Sequence, residues 1–152
     1  RQAAVGALMG SVELRSLLTA ELRKLPDLER LVATIHAFSL VQAANQATNY
    51  TDIGRKRLHE FIKCLEGFEG LAAAVDKARR HADELRADSP MLAHALTKGE
   101  GFPAIDAPLA KFRDAFDWKA AKSDGRVVPT KGHDAVYDDA QADVAAAEEE
   151  LA

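Results

Sequence analysis

An all-α fold is predicted for this chain: an irregular bundle of about six to eight helices with one long extended connector. Three observations predict it. Apolar residues recur at steps of three and four along most of the 152 residues, the period of one helix face. Period-two alternation, the mark of a strand, is missing apart from a two-residue candidate at Val127–Val128. The composition is 47% hydrophobic and 29% charged, with 6% aromatic residues and much alanine, a globular and helix-forming mixture. The length fits one domain on a scale of about 100–200 residues and is enough to bury a real core.

Between Ser11 and Leu25 the apolar positions are Leu14, Leu18, Leu22 and Leu25. Ser11 is placed to accept an orphan backbone N–H as N-cap. Pro26 lacks an N–H and fits the first turn of the next helix, with Asp27 and Glu29 near its positive end. Leu28, Leu31, Val32, Ile35 and Phe38 form its stripe. Residues 39–51 (SLVQAANQATNYT) lose the stripe and are predicted to be an internal loop, after which Thr51 or Asp52 caps a third helix.

From Leu58 the stripe continues through Phe61, Leu65, Phe68, Leu71, Val75, Ala78, Ala82 and Leu85. One helix to Arg86 satisfies this spacing. Gly67 and Gly70 each cost about 1 kcal/mol inside a helix, so we expect a turn at Glu66–Gly67 and two antiparallel helices. Ser89-Pro90 starts a short helix that ends near Gly99, and Gly99 to Pro103 is a loop. A helix from Ile105 to Phe116 carries Leu109, Phe112 and Phe116 on one face, and Trp118 to Lys122 is a further helix or turn. Residues 123–134 form the extended connector, and 135–152 a last helix with a thin stripe of Val136, Ala140, Val144 and Leu151. Glu148 to Glu150 sit where the helix dipole disfavours them. We therefore expect that helix to run on, and the chain, which starts at Arg1, to be a piece of a longer protein. The predicted core comprises Leu14, Leu18, Leu28, Leu31, Ile35, Phe61, Leu65, Phe112, Phe116 and Trp118.

Several functions are disfavoured. No apolar run approaches the ~20 residues of a membrane helix, so no membrane partner is expected. The single Cys64 allows neither an intrachain disulfide nor a cysteine-rich zinc site, and its place inside a helix reads as a buried thiol. Residues 1–131 carry 20 basic and 17 acidic side chains, whereas 132–152 carry seven acids and no base, unlike a stand-alone nucleic-acid binder. No G-x-x-x-x-G-K-[ST] phosphate loop occurs, and the GEGF loop lacks a following lysine. His36, His59, His81, His94 and His133 include no pair at metal-ligand spacing. His81, beside Asp83 and Glu84, reads as part of a solvated face. The basic clusters Arg55-Lys56-Arg57 and Lys77, Arg79, Arg80 are interleaved with acids and read as solvated helix faces. No catalytic, cofactor-binding, metal or DNA-contacting residue is assigned in this chain.

Longer segments carry a resemblance. Arg1, Ala4, Val5, Leu8 and Met9, then KLPDLERL (Lys24 to Leu31) with Ile35-His36, resemble the start of the helical core, or lever, domain of the MutS mismatch-repair family. LEGFEGL (Leu65 to Leu71), the stretch from Gly101 to Asp134 and YDDAQAD (Tyr137 to Asp143) resemble one branch of it, the mismatch-reading subunit of the eukaryotic MutS-alpha heterodimer. Residues 39–51 and Gly6 depart from the pattern. The resemblance implies that residues 1–152 are a lever-domain fragment and that 135–152 start a longer lever helix leading towards a clamp domain. It implies a structural relay between an ATPase and a DNA clamp, neither present in this sequence, and no enzymatic role for the fragment itself. It further implies a nuclear parent protein that binds mismatched duplex DNA, ATP and Mg, and pairs with a second MutS-homologue subunit. The alternative is a stand-alone helical interaction module, for which a fully packed terminal helix is expected.

Overall fold

The computed structural model describes residues 1–40 and 50–151. Among them are eight helices and no strand, so the all-α expectation holds. In chain order they are α1 (Gln2–Gly10), α2 (Val12–Leu22), α3 (Leu28–Leu40), α4 (Tyr50–Glu84), α5 (Pro90–Ala95), α6 (Asp106–Ala115), α7 (Trp118–Asp124) and α8 (Ala135–Glu150). No single helix among the described residues is long and apolar enough to cross a membrane.

Helix α4 is the spine. It runs for 35 residues, about 50 Å at 1.5 Å per residue, and touches α2, α3, α5, α6 and α7. The turn expected at Glu66–Gly67 does not form. Packing, not propensity, decides this. A Cβ on Gly67 would lie 2.6 Å from Leu28 Cδ2 and 2.9 Å from Pro26 Cγ, and one on Gly70 would lie 2.8 Å from Leu25 Cδ2. Positions three apart share a helix face, so the two glycines make a notch that seats the α2–α3 corner. The tertiary contact offsets the propensity that the glycines forfeit.

Two apolar cores lie along α4. In its first half, Ile62 and Leu65 pack with Leu109, Phe116, Trp118 and Ala121, with Phe61 partly buried at their edge. Towards its end, Ala78 and Leu85 pack with Leu14 and Leu96, flanked by Leu8, Leu17 and Leu18. Leu31 is 1% exposed, and Leu28 and Ile35 are half-buried. Phe112 departs from the predicted core, being 41% exposed. Leu109 and Phe116 take the buried side of that segment, and Phe112 stands edge-on to Phe61 with ring centroids 5.7 Å apart.

The helix ends mix expected and unexpected chemistry. Ser11 Oγ accepts from Leu14 N at 3.4 Å, and α1 and α2 meet there at 101°. Helix α3 starts at Leu28 rather than Pro26, because Asp27 Oδ1 accepts from Arg30 N at 3.0 Å and caps it. Thr51 and Asp52 lie inside α4, not at its cap. Ser89 holds the N-cap position of α5 with Pro90 behind it, yet its buried Oγ makes no hydrogen bond. The chain turns there on Ser89 N donating to Leu85 O at 2.8 Å. Asp117 caps α7 through Lys119 N and Ala120 N, and Gly125 closes it in the left-handed region at φ 72, where a Cβ would be strained.

Of the predicted loop 39–51, residues 39–40 complete α3 and 50–51 open α4; the rest lies outside the described residues. The connector starts later than residue 123, since α7 runs to Asp124. Val127–Val128 form no strand. A single bridge pairs Phe116 with Pro129, and Thr130 N donates to Ala115 O at 2.8 Å. Asp134 caps α8 by accepting from Tyr137 N at 3.1 Å. Helix α8 has no buried residue, and Val136 is 80% exposed.

These placements separate two positions that the sequence predicts as core. Leu31→Ala is expected to lose about 2–5 kcal/mol of stability, and Phe112→Ala about 1 kcal/mol. Urea denaturation of both variants measures the difference.

Candidate functional site

Charged side chains of α4 tie it to its neighbours, the acids reaching α6, α7 and Lys98 and two of the cations reaching α2. Glu69 takes a bidentate pair from Arg113 of α6, with Nε donating to Oε1 at 2.9 Å and Nη2 to Oε2. The same guanidinium lies over the Trp118 ring, 4.4 Å from its centroid. Trp118 Nε1 donates to Phe112 O at 2.9 Å, so the ring is fixed at its polar end too. Glu66 receives Lys122 Nζ of α7 on both oxygens at 2.6 Å. Further along, Asp76 receives Lys98 Nζ at 2.7 Å, and Asp106 of α6 receives the same ammonium at 2.8 Å.

Further along α4, towards α2, the signs reverse. Lys77 donates to Glu21 of α2 at 2.8 Å, and Arg80 to Glu13 of α2 at 3.1 Å. Near the start of α4, Arg55 donates to Ser123 O at 2.8 Å, and the Arg57 guanidinium lies 5.0 Å from the centroid of Phe38. The basic clusters are therefore drawn partly into ties between helices: Arg55, Arg57, Lys77 and Arg80 all face a neighbour.

Titration follows these contacts. Hydrogen bonds from Lys77 and then Lys24 hold the Glu21 carboxyl below its ordinary range. The Glu69 carboxylate raises the Arg113 guanidinium, partly against burial. Burial works against the Lys98 charge, but its bonds to Asp106 and Asp76 outweigh it and raise that pKa. Burial pushes the Cys64 thiol up, which disfavours a reactive thiolate.

A groove of about 540 Å³ runs between α4, α6 and α7, bordered by Glu66, Arg113, Trp118, Lys119, Lys122 and Thr130. Two of its three cations, Arg113 and Lys122, are already held by carboxylates there. Among the described residues no group of three metal-binding side chains comes together. His81 is 5% exposed, not part of a solvated face, because it shares a helix face with buried Ala78 and Leu85. Its Nδ1 lies 3.4 Å from Glu84 Oε2. In the GEGF loop, Gly99 N donates to Phe102 O and Gly101 N to His94 O. Those N–H groups are spent on closing the chain and do not converge on a phosphate.

Two of the segments that carry the family resemblance meet one another. KLPDLERL supplies the corner residues Leu25, Pro26 and Leu28, and LEGFEGL supplies the glycines beneath them. Sequence reasoning missed this notch. The signal was present in the three-residue spacing of Gly67 and Gly70, which marks one face kept free of side chains.

No family model matches the chain. It is 38% identical over 150 residues to the DNA mismatch repair protein MSH6 of Arabidopsis thaliana, covering 91% of this chain. It is 33% identical to Msh6 of Gallus gallus and 31% identical to Msh6 of Homo sapiens, covering 88% and 86% of this chain. The chain spans about a tenth of the length of these relatives: 10%, 11% and 10% respectively.

The Glu21 contacts make stability depend on acid. A carboxyl whose folded pKa is depressed adds stability that is present above its unfolded value and is lost as pH falls through the folded one. Below pH 4.5, the ordinary glutamate value, the chain is therefore expected to lose this contribution. Glu21→Gln is expected to flatten that part of a curve of denaturation midpoint against pH.

Proposed function

Because this chain belongs to the MutS family of DNA mismatch-repair proteins, matching a segment of its Msh6 branch, we propose that it is a structural relay within the lever domain. In this reading the parent protein recognises mismatched duplex DNA, binds ATP with Mg, works in the nucleus and pairs with a second MutS-homologue subunit. The relay couples its ATPase to its DNA clamp, and both lie outside these residues. No phosphate loop in this sequence fits the nucleotide, so no residue here is given a role in holding it.

The observation that carries this reading is α4. It is a continuous 35-residue rod with α2, α3, α5, α6 and α7 fixed to it by apolar packing and by ion pairs of matched sign. A stiff element with both ends anchored transmits displacement, whereas a catalytic site needs converging groups. Coupling through packed rigid elements has a physical basis, and its proof is a measured coupling between the two ends. The exposure of Val136 and Val144 on α8 favours the relay over a stand-alone module, for which a packed last helix is expected.

Two outcomes test the proposal. The isolated chain is expected to bind duplex DNA weakly and without preference for a mismatch, measured by fluorescence titration at two salt concentrations. Tight, mismatch-selective binding by this segment would overturn the division of labour. In the parent protein, Ala73→Pro breaks α4 at an exposed position, at a cost of about 3 kcal/mol. DNA binding and ATP hydrolysis are expected to persist separately while the effect of nucleotide on DNA affinity is lost.

A further inference from the structure

Helix α4 carries two glycines within one turn at its middle, and at each a neighbouring side chain takes the space of the missing one. Read alone, that stretch is where a helix should break; in the fold it is unbroken. We infer that Gly67–Gly70 is a latent hinge held straight by the α2–α3 corner: α4 is straight while the corner is seated and bends there when the corner leaves.

Three features support this. Glycine has more backbone freedom to lose than any other residue, so two of them in one turn weaken the ladder at a single place. The next segment, LAAAVDKARRH (Leu71 to His81), is rich in strong helix formers. Each half of α4 also has its own core: Ile62 and Leu65 bind α6 and α7, and Ala78, with Leu85 just past the helix end, binds α2 and the α5 end. A bend at 67–70 therefore moves two packed bodies, with Lys98, bonded to Asp76 beyond the hinge and to Asp106 of α6, as the polar tie it must stretch. The corner that blocks it is small. Leu25 covers Gly70, Pro26 and Leu28 cover Gly67, and one carboxylate, Glu21, tethers the corner to Lys77 beyond the hinge. Releasing that small contact switches the rod between two discrete states, as bistable packed elements do. The inference concerns the mechanics of this chain and stands whether or not the relay reading holds.

Amide hydrogen exchange on the 152-residue chain tests it. Leu25→Ala removes the only atom that a Cβ at Gly70 would meet. Exchange at residues 67–74 is expected to rise at least about tenfold, while 58–64 and 76–82 keep their protection. Adding Gly70→Ala to Leu25→Ala then strengthens the helix without a clash, and exchange at 67–74 is expected to slow again by about fivefold. A uniform rise along α4, or no slowing on adding Gly70→Ala, overturns the hinge. Should Leu25→Ala lose its helical circular dichroism, Leu25→Val gives the same two readings from a smaller change.

Discussion

The α2–α3 corner reaches α4 at two positions where α4 has no side chain, and this close approach sets how the bundle is assembled. Leu25, Pro26 and Leu28 come within 2.6–2.9 Å of where Cβ atoms would stand on Gly70 and Gly67. A side chain at Gly67 would meet the rigid Pro26 ring as well as Leu28, and one at Gly70 would meet the tip of Leu25. The buried Leu31, one turn along α3, is placed by that seat. The glycines therefore lower the local helix propensity of α4 and raise the precision with which its neighbour docks.

The ion pairs have a different part. Exposed pairs are worth about 0–1 kcal/mol each, so Lys77–Glu21 and Arg80–Glu13 do not hold the fold together. Their arrangement matters more than their strength. Glu66, Glu69 and Asp76 face cations from the C-terminal half of the chain, while Lys77 and Arg80 face acids of α2. Positions three, four and seven apart share one helix face, so the signs are sorted along α4 rather than around it. In a segment matching a tenth of its MSH6 relatives, this is the chemistry of a frame.

Much of this was legible in the sequence. The period of three and four gave the helices, the cap Ser11 follows from local hydrogen-bonding chemistry, and the longer segments pointed to the MutS family. What was not legible depends on distant contacts. The turn expected at Glu66–Gly67 was a sound inference from propensity, and the corner forty residues upstream overrules it. His81 looked solvated because its sequence neighbours are acids, but its helix-face neighbours are Ala78 and Leu85. Phe112 fits the stripe of α6 yet stands at its margin, since only one side of so short a helix faces α4. Pro26 has the chemistry of a helix start, but Asp27 performs the capping and leaves the proline ring to fill the notch.

The two cores share α4 and little else. Ile62 with Trp118 at one end and Leu14 with Leu85 at the other are separate clusters joined by a single rod. Cooperative melting requires that the loss of one cluster remove the support of the next, and a lone shared helix transmits that penalty only in part. Heat absorption by this chain is therefore expected to spread over a wider range of temperature than one all-or-none event allows, with the enthalpy deduced from the sharpness of the transition below the heat taken up.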